Sequence, residues 1–444
     1  MTQSHGKRLI VGLGRTGLSV AKHLHAQGIA FAVTDGSATP GGLDTLKQFA
    51  PDAPLFLGSL TPASLDGVVE VIASPGIALR SPLLSEALAR GISVIGDVEL
   101  FARSTQVPVV AITGTNGKST VTTLVALMAQ AAGKRAFAGG NLGRPALDLL
   151  QDSPADLFVL ELSSFQLETT TSLRTQSATV LNVTSDHMDR YDSMLDYAQA
   201  KARIFDRCAT AVINMDDPLV VAMPRHGQRV LSFSVQPHVK ADYTVQQSGN
   251  EVLLCKHGEK LLAMSELKIT GLHNAANALA SLALCEALNL NQAACLQALR
   301  DFPGLPHRAE WIADVRGVRY IEDSKGTNVG ATLAAVTGMQ GPLIVIAGGQ
   351  GKGQDFAPLA NAFRGKVKHV MLLGQDAAQI EGVLKGVCNT ERVASMEQAV
   401  QAAARIAQAG DTVLLSPACA SLDMFRDYAH RGAVFAAAVK ELSA

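Results

Sequence analysis

The chain has 444 residues, of which 48% are hydrophobic and 17% charged, and its formal net charge is −1. That length exceeds one core and predicts about three domains, while the composition is that of a globular α/β protein and excludes a disordered or fibrous one. A net charge near zero gives no basic field for a nucleic-acid backbone or an anionic membrane, so no nucleic acid is expected as a partner.

Six cysteines, Cys208, Cys255, Cys285, Cys295, Cys388 and Cys419, are scattered without a Cys-x-x-Cys pair. This argues against a zinc site or a disulfide framework and fits a reducing cytoplasm. Near the amino end Leu9-Ile10-Val11 is interrupted by Gly12, Gly14 and Arg15 before it becomes a signal-peptide core. No stretch has the unbroken apolar length of a transmembrane helix, so a soluble cytoplasmic protein without membrane insertion is expected.

The first segment, 1–97, opens with a strand from Leu9 to Leu13, then Gly12-x-Gly14-x-x-Gly17, a helix through Ser19 to His25, and a strand from Phe31 to Thr34 ending at Asp35. The pattern is a Rossmann-type βαβ unit. A strand from Val68 to Ala73 ends in Ser74-Pro75-Gly76, a second small-residue turn where such folds bind ligands. The glycine fingerprint alone fits a dinucleotide, another phosphate ligand, or tight packing of strand on helix.

The second segment, 98–303, carries the run Val107 to Ala111, the loop Ile112-Thr113-Gly114-Thr115-Asn116-Gly117-Lys118-Ser119-Thr120 and a helical stretch. Glycines let backbone N–H groups approach phosphate oxygens, the helix presents its positive end, Lys118 neutralises terminal phosphate charge and Ser119 offers a hydroxyl to magnesium. This predicts ATP, although the strict eight-residue P-loop pattern needs glycine where Ile112 stands. Strands follow at Leu157 to Leu162 and Thr179 to Val183. Short β-branched stretches between Arg229 and Ile269 predict an antiparallel flank, and helix returns at Gly271-Leu272-His273-Asn274-Ala275-Ala276-Asn277.

The third segment, 304–444, begins beside Phe302-Pro303-Gly304-Leu305-Pro306, read as a hinge. Strands at Tyr320-Ile321, Leu343 to Ala347, Val370 to Leu373 and Thr412 to Leu415 alternate with helical stretches and predict a second doubly wound domain.

Glu161 and His187 end strands near the loop, and a carboxylate with an imidazole beside triphosphate oxygens makes a reasonable magnesium site, with Ser119 as a third ligand. Lys201 falls in a helix expected over Met194 to Phe205, on the flank of a stripe of Leu195, Ala198, Ala202 and Phe205. Taken alone it reads as a surface lysine, and an ammonium repels magnesium. His307-Arg308, the run Asp323-Ser324-Lys325-Gly326-Thr327-Asn328 and Gly348-Gly349-Gln350-Gly351-Lys352-Gly353 bring further cations towards the same cleft, though each loop alone also reads as a solvated turn. The Ser416 to Asp423 segment ends a strand with small and hydroxyl residues, and Cys419 reads as structural.

Together the loop Gly114 to Ser119, Glu161-Leu162-Ser163-Ser164-Phe165-Gln166, Asp186-His187, His273-Asn274-x-x-Asn277 and Leu305-Pro306-His307-Arg308 resemble the Mur ligase family along nearly the whole chain. The resemblance implies a three-domain α/β fold, with a Rossmann-like N-terminal domain, a central P-loop ATPase-like domain and a Rossmann-like C-terminal domain. It implies a monomeric, ATP-dependent amide ligase in peptidoglycan precursor synthesis, joining UDP-N-acetylmuramoyl-L-alanine to D-glutamate through an acyl phosphate.

It further implies that Gly14, Arg15, Thr16, Gly17, Asp35, Ser74, Pro75 and Gly76 hold the UDP end of the substrate and that Asn141 touches it. Gly114, Thr115, Asn116, Gly117, Lys118, Ser119, Thr120, Asn274, Asn277, Arg308 and Asp323 would border ATP. Two Mg2+ ions would be held by Ser119, Glu161, His187 and a carbamylated Lys201. Lys118, His187 and Lys201 would be catalytic, and Thr327, Lys352, Ser421, Leu422 and Tyr428 would surround D-glutamate. Ser37 and Gln350 depart from the family pattern, standing where relatives place an arginine and an acidic residue.

Overall fold

The computed structural model describes residues 6–151, 154–249, 251–339 and 341–442, and their strands form three sheets. The first contains β1 (Lys7–Val11), β2 (Phe31–Asp35), β3 (Leu55–Leu57), β4 (Val68–Ala73) and β5 (Ser93–Ile95), ordered β3-β2-β1-β4-β5 and parallel throughout. Chain order reverses between β1 and β4, which opens a crevice at their carboxyl ends beside the 12–17 and 74–76 turns.

The second sheet holds β6 (Val109–Thr113), β7 (Ala136–Gly140), β8 (Leu157–Glu161), β9 (Thr175–Val180), β10 (Cys208–Asn214), β11 (Arg229–Ser234), β12 (Tyr243–Ser248), β13 (Glu251–Lys256) and β14 (Glu259–Ala263). Its order is β14-β13-β12-β11-β10-β9-β6-β8-β7. Buried on both faces, β6 sends Val109 and Ala111 into a core shared with Ile10 and Phe101, and Val110 and Ile112 into one shared with Val121 and Leu279. A near-continuous apolar run is what such a central parallel strand requires.

Two expectations for this segment need correction. The antiparallel flank begins later: β11 pairs in parallel with both β10 and β12, and only β12, β13 and β14 alternate. The helix Pro218–Val221 lies between β10 and β11 and makes the connection a crossover, which parallel pairing demands. The strand expected at Thr179 to Val183 is β9, starting at Thr175, because the hydroxyl residues Thr175, Ser177 and Thr179 are buried inside the sheet.

The third sheet holds β15 (Glu310–Val315), β16 (Val318–Glu322), β17 (Leu343–Gly348), β18 (Val367–Leu373), β19 (Asn389–Arg392) and β20 (Thr412–Leu415), ordered β15-β16-β20-β17-β18-β19. All pairs are parallel except the β15–β16 hairpin. The carboxyl ends of β16, β20 and β17 place Asp323, Ser416 and Gly349 side by side. No described helix is long and apolar enough to cross a membrane.

Candidate active site

The loop after β6 is shaped by two glycines with positive φ, Gly114 at 146° and Gly117 at 84°. A Cβ on Gly117 would sit 2.4 Å from Asn277 Oδ1, so a side chain there would have to displace that amide as well as strain the backbone. Neighbouring backbone holds the loop: Thr115 N donates to Asn182 O at 2.9 Å, Asn116 N to Asn182 Oδ1 at 2.8 Å, and Asn182 Nδ2 returns to Asn116 O at 3.1 Å. Residues 181–184 therefore leave the sheet to brace the loop. Helix Lys118–Ala131 follows, its first turn aimed at the cavity.

Lys118 Nζ folds back on Gly114 O at 2.9 Å and Thr115 O at 2.8 Å, and burial lowers its proton affinity. Lys201 Nζ reaches the same Gly114 oxygen at 3.0 Å and lies 4.3 Å from the Tyr197 ring centre. Lys201 is 1% exposed, not the surface lysine its sequence suggests in isolation. Burial and then the charge of Lys118 push its amine far below the ordinary lysine value. Its α-helix, Met194–Ala202, passes into a 3-10 turn at Arg203–Phe205, and Leu195, expected in the apolar stripe, is 57% exposed.

Glu161 ends β8 and is 3% exposed. Its Oε1 accepts from Asn141 Nδ2 at 2.7 Å, whereas Oε2 is buried with no hydrogen-bond partner. A buried carboxylate oxygen left open in this way fits a cation ligand. His187 stands in a loop with φ 58°. Burial drives its pKa down to about 4, so the imidazole is neutral near pH 7 and able to ligate. Ser119 Oγ accepts from an Arg308 guanidinium nitrogen at 3.2 Å and keeps a second lone pair. The tight group His307, Glu310 and Glu322 fits a cation less well, since Glu322 already accepts from Ser324 N and His307, and Glu310 from His307 N.

Two cavities meet here. The first, about 180 Å³, is lined by Asn116, Gly117, Thr120, Asn274, Asn277, Arg308 and Asp323 among others. Burial raises the Asp323 carboxyl to about 7 despite hydrogen bonds from Ser416 Oγ and Ala309 N. The second, about 670 Å³, is lined by His187, Thr327, Gln350, Lys352, Ser421, Leu422 and Tyr428 among others. Gln350 is fixed by backbone pairing with Ala420 in both directions.

Asp186 and Asn328 join the segments, though neither is singled out as a site residue in the sequence. Asp186 accepts from Lys352 Nζ at 3.1 Å and from Asn328 Nδ2 at 3.3 Å. Burial alone would raise its carboxyl, but His187 and Lys352 outweigh that and hold it low. Asn328 also exchanges amide hydrogen bonds with Asn116 of the loop. The available signal was an acidic or amide residue beside a strand end, which is weak alone.

At the first crevice, the Asp35 carboxylate accepts from Leu13 N at 2.7 Å and Ser37 N at 2.8 Å, bracing the turn. Ser74 Oγ donates to Gly12 O at 3.1 Å, and Arg190 donates to Gly76 O. Arg15 bonds Gly143 O across the domain gap. The glycines divide their work: a Cβ on Gly17 would lie 1.9 Å from Gly12 O, while one on Gly14 would meet nothing within 4 Å. Gly17 serves packing, and Gly14 leaves open space at a helix N-terminus. Thr16 is half-buried in the first helical turn and Pro75 in the second loop.

Residues 6–96 match a Mur ligase MurD-like N-terminal domain, 112–285 the Mur ligase middle domain and 307–419 the Mur ligase glutamate ligase domain. A UDP-N-acetylmuramoylalanine--D-glutamate ligase of Nitrosococcus oceani is 50% identical over 436 residues, covering 98% of this chain and 96% of the relative. The chain belongs to the Mur ligase family. The Pseudomonas aeruginosa protein of the same name is 48% identical over 441 residues, with 98% of each chain covered. The MurC structure from Thermotoga maritima superposes with TM-score 0.62 at 20% identity, covering 98% of this chain and all of that one, and shares the fold. Mur ligases are ATP-dependent ligases of peptidoglycan precursor synthesis.

Proposed function

We propose that this Mur ligase adds D-glutamate to UDP-N-acetylmuramoyl-L-alanine, with ATP as the source of activation. The reading is supported by relatives of that name at half identity, and it is carried by the abutment of a cavity beside the phosphate loop with one lined by Thr327, Lys352, Ser421, Leu422 and Tyr428. An alanine carboxylate oxygen bonds to the γ-phosphorus, the bond to the β,γ-bridging oxygen breaks, and ADP leaves with the electron pair. The D-glutamate amine, having lost one proton to solvent, bonds to the acyl carbon. Phosphate departs with the C–O bond electrons and takes the second amine proton.

Two negative groups must meet before any bond forms. Lys118 reduces their repulsion, and backbone N–H groups of the 114–119 loop orient the phosphates in a site that excludes water. Glu161, His187 and Ser119 would hold Mg2+, which when bound supplies charge neutralisation at the phosphoryl oxygens. His187, neutral at working pH, would serve as a ligand to that ion. Lys201 fits the carbamate role because burial favours its uncharged amine, which would add to carbon dioxide, release a proton and become an anion. The Asp186 carboxylate anchors Lys352 at the cavity edge. A cytoplasmic monomer taking only small-molecule substrates is the form we assign.

The test is phosphate release with ATP, magnesium and UDP-N-acetylmuramoyl-L-alanine. The reading expects release only once D-glutamate is added. Release that ignores the amino acid would replace it with a nucleotide-driven switch.

A further inference from the structure

Lys325 belongs to the linings of both cavities, the one beside the phosphate loop and the one expected to take the amino acid. The turn after β16 aims it there. Gly326 N bonds back to Asp323 O at 2.8 Å, and a Cβ on Gly326 would press within 2.8 Å of Asp323 Oδ2, so the turn is tight and projects the side chain before it. Lys325 N is held by His307 O at 3.1 Å. Its ammonium lies 3.7 Å from the centre of the Tyr428 ring, a cation–π contact that fixes its position without neutralising its charge.

Around that ammonium the protein supplies cations. Burial and then Arg308 disfavour its charge, Glu161 at longer range favours it, and Lys118 and Lys352 disfavour it again, bringing its pKa down to about 8. Among the described residues no carboxylate lies within ion-pair distance of it. A part-buried cation, still charged near pH 7 and without an ion-pair partner among the described residues, is costly unless a ligand provides the counter-charge.

Resting on the ligase reading above, we infer that Lys325 contacts the phosphoryl group in transit from nucleotide to substrate carboxylate, and is a catalytic residue of the activation step. Lys118 already serves the resting triphosphate, and Lys352 borders the amino-acid cavity. A cation at the junction best matches charge that develops between the two, on the oxygens of the migrating phosphoryl group. No proton moves: the ammonium stays protonated while one P–O bond forms and another breaks.

The experiment uses the full chain with Lys325→Met and Lys325→Arg. Wild type must first show D-glutamate-dependent phosphate release, and if it does not, the ligase reading fails and not this inference alone. We expect Lys325→Met to lower kcat about 100- to 1000-fold, the scale of losing one preorganised donor, with KM for ATP and D-glutamate within about threefold. Acyl phosphate trapped by borohydride without D-glutamate should fall in parallel, and Lys325→Arg should recover at least about tenfold of the lost kcat. Binding of a fluorescent ATP analogue reports whether the variant is folded, and Lys325→Gln replaces a Met variant that fails it. A kcat within about threefold of wild type, or a raised D-glutamate KM with acyl-phosphate formation intact, would overturn the inference.

Discussion

Lys118 and Lys201 donate to one carbonyl oxygen, that of Gly114, at 2.9 and 3.0 Å. Two lysines converging on one atom cannot both carry charge cheaply, and burial and then the charge of Lys118 disfavour the charged form of Lys201. Conversion to a carbamate turns this repulsion into attraction. Lys201→Ala should therefore lower activity by about 100-fold or more, as loss of a charged group at a phosphoryl-transfer site does. A short-chain acid such as acetate should restore part of it. Full activity of Lys201→Ala without acid would remove the carbamate from the account.

Asn141 orients Glu161 by donating to Oε1, leaving Oε2 open. Residues that position a metal ligand tune affinity by about 10- to 100-fold. Asn141→Ala should raise the magnesium concentration for half-maximal activity by at least about tenfold, with a smaller change in KM for the UDP substrate. If instead only that KM rises, Asn141 contacts the substrate directly and does not act through Glu161.

Gly14 and Gly17 separate binding from folding. Gly17→Ala puts a methyl group 1.9 Å from Gly12 O, against backbone that cannot yield without moving the β1–helix junction. Overpacking of this kind costs about 1–3 kcal/mol, and a lower thermal unfolding midpoint is expected. Gly14→Ala meets nothing and should leave the midpoint near wild type while raising KM for the UDP substrate. Equal midpoints for the two variants would contradict the division.

Most of the chemistry was legible because it sits where strands end. The phosphate loop, Glu161 and the third-segment turns follow apolar runs that a parallel sheet buries on both faces, so sequence alone locates their carboxyl ends. What stayed hidden depended on tertiary placement. The depth of Lys201 could not be read from its helix, which exposes Leu195 and buries the lysine. The parallel pairing of β11 turned on the short crossover helix before it. Asp186 and Asn328 gain meaning only when the third segment lies against the loop, and short edge strands such as β3, β5 and β19 give too little periodicity to detect.

Asp97, the first residue of helix Asp97–Ser104, is 1% exposed and its Oδ1 has no hydrogen-bond partner. Burial raises its carboxyl from 3.8 to about 6, against backbone hydrogen bonds that lower it. The folded state therefore keeps a proton that the unfolded chain has released. The stabilisation is complete below pH 3.8 and is lost as pH rises through about 6. A shift of about two units amounts to roughly 3 kcal/mol. Asp97→Asn should flatten this part of the profile, so that the stability of wild type relative to the variant falls between pH 4.5 and 8 in urea unfolding. Parallel profiles would contradict the assignment.

The central claim is that the cavity beside Lys352, Ser421 and Tyr428 selects the amine that captures the activated carboxylate. The direct measurement is mass analysis of the product when ATP, magnesium and UDP-N-acetylmuramoyl-L-alanine are held constant and only the amino acid varies. The account predicts one ligated product, with D-glutamate, and none with L-glutamate, L-alanine or meso-diaminopimelate. Ligation of another of these in preference to D-glutamate would contradict it.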